Sequence, residues 1–204
     1  MTSPAPQTSQ PTYRDRVFRS GGGILGGLLL LAIAGWLGVD ALVRGTGRTP
    51  WLALAGLLFS VPLIVAFSLR PAVFAGEDRL RIRNPFRTIT LPWATVTEIR
   101  AAYSCEVLTE SAGKFQLWAV PVSLRQRKRA HRYQDRLARG GATEAPDPAR
   151  LALVDRAVAE MRELSERATT RPTAQGEPVV RWAYEVIAPA LAGLLLLIVL
   201  LTTT

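Results

Sequence analysis

Apolar residues in this chain gather into three blocks, Ile24–Val43, Trp51–Leu69 and Trp182–Leu201, with mixed sequence between them. Each block is about 20 residues long, enough to cross a hydrocarbon core near 30 Å thick at a helical rise of about 1.5 Å per residue. The pattern predicts three transmembrane helices, the first two joined as a hairpin over residues 21–69. Asp40 is the single acid in the first block and lies near its end. The second block is free of charge but contains Pro62, which predicts a kink of the kind membrane helices tolerate. Trp182 and Tyr184 at the head of the third block suit an interfacial belt. A cleaved signal peptide is the competing reading of the first block, with Arg14, Arg16 and Arg19 ahead of it and Ala32-Ile33-Ala34 as a cleavage-like motif. The apolar run continues past Ala34, and a second block follows after a short loop, which favours the hairpin.

Between the second and third blocks the period changes to two. Arg79-Leu80-Arg81-Ile82-Arg83 alternates strictly, so Leu80 and Ile82 face one side and the arginines the other. Asn84-Pro85-Phe86-Arg87 reads as a turn, and Thr88-Ile89-Thr90-Leu91 resumes the alternation. Ala72–Ala75, Val96–Tyr103, Cys105–Glu110 and Phe115–Val120 read as further strands, with Ser111-Ala112-Gly113-Lys114 a turn. The whole is a meander of short strands over 70–121, of the kind found in a small sandwich or open barrel. After Pro121 the period becomes helical over Leu124–Arg139. Gly140, Gly141, Pro146 and Pro148 then break it. Asp147-Pro148 is a good helix start for a second helix, in which Leu151, Val154, Val158 and Met161 recur at helical spacing. Basic and amphipathic helices thus fill 122–170, a polar linker 171–181 follows, and residues 1–20 form a tail whose Ser/Thr/Pro/Gln-rich Met1–Thr12 lacks the apolar content to fold.

Charge adds an orientation. The chain of 204 residues carries a formal net charge of +9, supplied almost wholly by arginine, since Lys114 and Lys128 are the only lysines. Arg14, Arg16 and Arg19 precede the first span, Arg70, Arg79, Arg81, Arg83 and Arg87 follow the second, and Arg181 precedes the third. The hairpin loop has only Arg44 and Arg48. By the positive-inside rule the N-terminus and central domain are cytoplasmic, the loop and Thr202–Thr204 are outside, and the protein is a multi-pass resident of the plasma (inner) membrane. Cys105 is the sole cysteine, so no internal disulfide can form.

The string Arg81-Ile82-Arg83-Asn84-Pro85-Phe86-Arg87, followed by Leu91-Pro92-Trp93, Val96 and Ile99, resembles the bacterial pleckstrin-homology (PH)-type domains of actinobacterial membrane proteins, the low-molecular-weight protein antigen 6 group. Trp118-Ala119-Val120-Pro121 is similar to the Trp-Ala-x-Pro that closes a later strand of that domain, and two spans ahead of the domain also match. The resemblance implies a PH-like β-barrel or sandwich of two sheets capped by a helix. It leaves open whether that helix is Leu124–Arg139 or Leu151–Ala168. The family brings no catalytic residues.

No enzyme constellation accompanies these elements. His131 is the only histidine and sits among arginines, Cys105 reads as a buried structural thiol, and there is no metal-ligand spacing or phosphate-binding glycine loop. The chain reads as a non-enzyme with no cofactor and no metal. Two basic features are the candidate sites: Arg79, Arg81, Arg83 and Arg87 on one face of the first hairpin, and Arg125, Arg127, Lys128 and Arg129 heading a helix that continues through Arg132, Arg136 and Arg139. Each is explained as well by topology and a solvated face as by contact with anionic headgroups. Nucleic acid is disfavoured, since Tyr133 is the only aromatic in the basic run. Two functions follow. One is a membrane-anchored binding or scaffold module for a protein partner or anionic phospholipid. The other is an accessory subunit of a membrane transport or envelope-synthesis complex, in which Asp40 would gain a role.

Overall fold

The computed structural model describes residues 15–101, 104–120 and 148–203. Strict alternation in the first hairpin translates directly into strands β3 (Arg79–Arg83) and β4 (Arg87–Pro92). They pair antiparallel with Leu80 opposite Leu91 and Ile82 opposite Ile89, so four large apolar side chains share one face. All four are fully buried. Each such burial contributes about 1.5–3 kcal/mol. Strand β2 (Ala72–Ala75) lies on the other side of β3 and adds Val73 and Ala75 to the same face.

Two strands extend this sheet in ways the chain pattern does not announce. Strand β1 (Arg16–Phe18) pairs with β2, and β8 (Val179–Trp182) pairs with β4, giving a five-stranded antiparallel sheet in the order β1-β2-β3-β4-β8. The tail drawn over 1–20 therefore ends in a strand, and the linker drawn over 171–181 holds a short 3-10 turn, Pro172–Ala174, and most of β8. Met1–Thr12 lies outside the described residues. A second sheet consists of β5 (Val96–Ala101), β6 (Cys105–Thr109) and β7 (Gly113–Gln116). The last strand starts earlier than the expected Phe115 because Gly113, at φ +79°, makes the tight turn two residues sooner. No ladder joins the two sheets among the described residues, so they form a sandwich-like pair.

Helix α3 (Pro148–Ala168) packs on β5 and on the 3-10 turn Trp93–Thr95, and it closes the core. Val158, Met161, Leu164 and Ala168 recur every three or four residues and are buried in one cluster with Trp93, Ile99, Val107 and Leu117. The helix is fixed by Arg162, whose Nε and Nη2 donate to the Ile99 carbonyl at 2.8 and 2.6 Å. It is the capping helix at Leu151–Ala168. The alternative at Leu124–Arg139 lies outside the described residues. Trp93, fully buried, donates from its indole nitrogen to the Gly76 carbonyl at 3.0 Å. Asn84, 4% exposed, joins the two sheets: its Nδ2 donates to the Gln116 carbonyl at 2.9 Å.

Three helices are long and apolar enough to cross a membrane: α1 (Gly21–Arg44), α2 (Thr49–Ile64, running on as a π-helical turn Val65–Leu69) and α4 (Tyr184–Thr202). The wide turn follows Pro62, and it closes with the Arg70 N–H donating to the Val65 carbonyl at 2.9 Å. Helix α2 packs against both α1 and α4. Glycine permits the close approach to α4, because a Cβ at Gly193 would meet the backbone of Leu58 and Phe59. The third helix begins at Tyr184, two residues after the expected start, because Trp182 is still part of β8. Strand β1 leads into α1, α2 into β2, and β8 into α4, so every chain passage between sheet and apolar helices enters at one end of the five-stranded sheet.

Candidate basic face beside the apolar helices

The outward face of the five-stranded sheet is built by the other half of the alternation. Register places Ala72, Arg83, Thr88 and Arg181 in one row across four strands, and Phe74, Arg81, Thr90 and Val179 in the next. Adjacent strands lie about 4.8 Å apart, so Arg83 and Arg181 flank Thr88 with Cα atoms about 10 Å from each other. Arg79 completes the face one row further from the helices, opposite Pro92. The face forms an open groove of about 660 Å³ lined by Arg79, Arg81, Arg83 and Arg181, with Arg70, Trp182 and Glu185 at its helix end.

These arginines are not equivalent. Arg70, at the end of α2, joins four elements: it donates to Glu185 of α4 at 2.6 Å, to Thr88 Oγ1 of β4 at 3.3 Å and to the Asn84 carbonyl in the β3–β4 turn at 3.3 Å. Its charge is thus already matched. The Arg83 guanidinium lies over the Phe74 ring, 5.2 Å from its centroid, which orients it without neutralising it. Among the described residues no carboxylate forms an ion pair with Arg79, Arg81, Arg83 or Arg181. Arg79 and Arg81 also border a smaller hollow with Asp15, Glu77 and Asp78, at the sheet end remote from the helices. Arg171 pairs with Glu77 there, and the Thr173 hydroxyl donates to Asp78 at 2.8 Å. The face therefore runs from an acidic rim to an end beside α4 where Arg70, Arg83 and Arg181 outnumber Glu185.

Of the residues expected at this site, Arg79, Arg81 and Arg83 are together and Arg87 is not. Arg87 shares its side of β4 with Ile89 and Leu91, and its guanidinium lies 5.9 Å from the Phe115 ring centroid on the second sheet. The turn Asn84–Phe86 resets the alternation, which is why a residue four beyond Arg83 changes face. Arg125, Arg127, Lys128, Arg129 and His131 lie outside the described residues. Thr88 and Thr90, on the polar side of the alternation, and the span-flanking Arg70 and Arg181 also belong to the face. The signal for Arg181 is the short run Val179-Val180-Arg181-Trp182, whose β-branched and aromatic residues suit a strand.

Other candidate groups are structural. Cys105 is buried. Asp40 pairs with Arg44 one turn on, at 3.1 Å, with both side chains substantially exposed. In the hairpin loop Arg48 donates to the Leu200 carbonyl and, at 3.0 Å, to the Thr203 hydroxyl, so it caps the end of α4. On the second sheet the Ser104 hydroxyl, 2.8 Å from Glu106, holds that carboxyl below its usual range, assisted by Lys114 and Arg100.

The family described as Bacterial PH domain matches residues 70–192, more than half of the chain. The chain belongs to that family. The match runs from the end of α2 through both sheets, α3 and β8 and into α4, so the capping helix and the junction with the last apolar helix are part of what the family describes. Strand β1 and the whole of the first two apolar helices lie outside it. No curated protein and no solved structure matches the chain. PH domains are generally non-catalytic binding modules, and the described residues here present a polar, charged groove.

Proposed function

We propose that this protein is a membrane-anchored PH-type binding module whose basic sheet face recognises an anionic partner, either acidic phospholipid or an acidic protein surface, at the cytoplasmic side of the plasma membrane. The observation that carries this reading is the cluster of arginines without an ion pair among the described residues, Arg79, Arg81, Arg83 and Arg181, on one sheet face that runs toward the start of α4. An ordinary solvated face mixes both signs, and the opposite rim of this domain does so. At the basic end the acid among the lining residues, Glu185, pairs with Arg70, and Arg79, Arg81, Arg83 and Arg181 are in excess. Near an anionic bilayer each such charge contributes about 1 kcal/mol of attraction.

The sidedness follows from the distribution of arginine. The two arginines at the hairpin end, which run against the positive-inside rule, are both engaged, Arg44 at the end of α1 with Asp40 and Arg48 in the loop with the end of α4. Among the described residues Arg16, Arg19, Arg70 and Arg181 flank the spans on the domain side. Cysteines placed at Thr46 and Thr173 test this orientation in whole cells. A membrane-impermeant thiol reagent should label the first and reach the second only after permeabilisation, and the reverse pattern would overturn the topology. Binding is tested on the full chain incorporated into nanodiscs. Acidic lipid should be enriched around it over zwitterionic lipid, with the enrichment falling as salt rises and lost when the four arginines are changed to glutamine.

A further inference from the structure

We infer that the outer edge of β8 is a strand-docking site, which takes an extended segment of a second membrane protein directly after that protein's own span. The site is backbone rather than arginine, so it stands whether or not the charged groove holds an anion. Strand β8 ends the five-stranded sheet, and its ladder with β4 shows no register shift. Just beyond it the Ala183 N–H donates to the Phe86 carbonyl at 2.8 Å. In that register Val179 and Arg181 exchange hydrogen bonds with β4, while the N–H and carbonyl groups of Val180 and Trp182 point away from it. No described residue is bonded to those outward groups. All four residues of β8 are exposed. Val180 stands opposite the fully buried Ile89 yet is itself 42% exposed, so the apolar inner side of the sheet runs out uncovered at this edge. Sheet edges are usually blunted by a bulge, a proline, an inward-facing charge or a covering element. The opposite edge is tied to α3 by the ion pair between Arg16 of β1 and Glu160. Among the described residues β8 has no such protection.

Topology decides the kind of occupant. Strand β8 runs toward α4, so an antiparallel ladder, the more stable kind, needs a strand that runs away from the apolar helices. A strand does so when it directly follows its own span, as β2 follows α2 here. A second copy offering its own β8 antiparallel would have its α4 turned away from the bilayer, which disfavours that symmetric pair. Alternation then fixes the chemistry of the guest. Its residues opposite Val180 and Trp182 are apolar and extend the inner side of the sheet, and the residue between them, opposite Arg181, is an acid. Its span finds apolar surface on α4, where Leu191, Leu195 and Ile198 are exposed at helical spacing.

The test uses the full chain in zwitterionic vesicles with a synthetic probe, an apolar span of about 20 residues followed by Val-Glu-Val-Thr and a fluorophore. Association is read by energy transfer from a donor on a cysteine placed at Thr173, which is exposed. The parent probe should associate. N-methylation of its two valine amides, which face β8, should weaken association about ten-fold through the loss of two hydrogen bonds. N-methylation of its glutamate and threonine amides, which face away, should change little. On the protein, Val180→Pro should also abolish association, because β4 does not use that N–H and an edge strand tolerates the ring. Should that variant not fold, the methylated probes still decide the matter on the unaltered chain. Arg79→Gln with Arg81→Gln, in the groove but off the edge, should leave association unchanged. No association of the parent probe, or equal association of both methylated probes, would overturn the docking site. Loss of association in the double arginine variant would assign the probe to the groove and overturn it too. Energy transfer between donor- and acceptor-labelled copies without probe, abolished by Val180→Pro, would give the edge to a second copy and likewise overturn it.

Discussion

Strand β3 is five residues long, and its two sides have opposite fates. Leu80 and Ile82 are wholly buried, each packed between strands and beneath a helix or second sheet, while Arg79, Arg81 and Arg83 stand exposed on the other side. The same backbone and the same ladder hold both sets. The difference is that the inner face is determined by its neighbours, since any change in volume there is felt by Ile89, Leu91 and Met161. The outer face has few neighbours to satisfy, and its arginines are not required by packing. A row of like charges set about 7 Å apart along a strand carries some mutual repulsion, and the fold has no evident need for it. The outer face is therefore where the proposed binding can be tested without disturbing the core.

Substitutions at the core should therefore give the largest stability changes. Trp93→Ala removes a fully buried indole and its hydrogen bond to the Gly76 carbonyl, which ties the end of β4 to the β2–β3 turn. It should destabilise the full chain by about 3–5 kcal/mol in denaturant unfolding in detergent micelles. Ile82→Ala, in the middle of the inner face, should cost about 2–5 kcal/mol by the same measurement. A loss under about 1 kcal/mol at either position would mean that the inner face collapses around the cavity and is less constrained than the register implies.

Asn84 is a smaller test of the same comparison, because it is polar yet belongs to the inner set. Its Nδ2 donates to the Gln116 carbonyl at 2.9 Å, and its carbonyl accepts from the Trp118 N–H at 3.5 Å, so it bridges the first hairpin to the end of β7. Asn84→Ala leaves that carbonyl without its partner and should cost about 1–3 kcal/mol. Unchanged stability would show that water replaces the amide.

These two faces also explain what the chain pattern revealed and what it hid. Alternation over Arg79–Arg83 and Thr88–Leu91 is a local signal, so β3, β4 and their burial were legible, as were the three apolar blocks and the helical spacing of Val158 and Met161. Strands β1 and β8 are three and four residues long and directly precede apolar helices. Their partners lie across a helical hairpin in one case and across α3 in the other, and nothing local encodes such pairing. Arg181 consequently looked like a flanking charge, and the full face could not be drawn without it. Arg87 failed for the opposite reason: it was close in sequence to the others, but the turn at Asn84–Phe86 put it on the core side of β4.

The smallest expected effect is the most discriminating. Arg81 sits centrally in the outer face, between Phe74 and Thr90, with no ion pair among the described residues. Its aliphatic stem covers the sheet, and a glutamine retains much of that cover. Arg81→Gln removes one charge from a basic row and no structural partner, so relief of repulsion offsets the small loss of packing. Stability should stay within about 0.5 kcal/mol of the unaltered chain. The same should hold for Arg83→Gln, which gives up the stacking on Phe74 and a weak attraction to Glu185. Enrichment of acidic lipid should nevertheless fall with each substitution. If either variant instead loses more than about 1 kcal/mol, the arginines are part of what holds the sheet together. Their presence would then say nothing about a ligand. If stability and lipid enrichment are both unchanged, the outer face is merely solvated, and the contrast between the two sides of β3 reduces to burial alone.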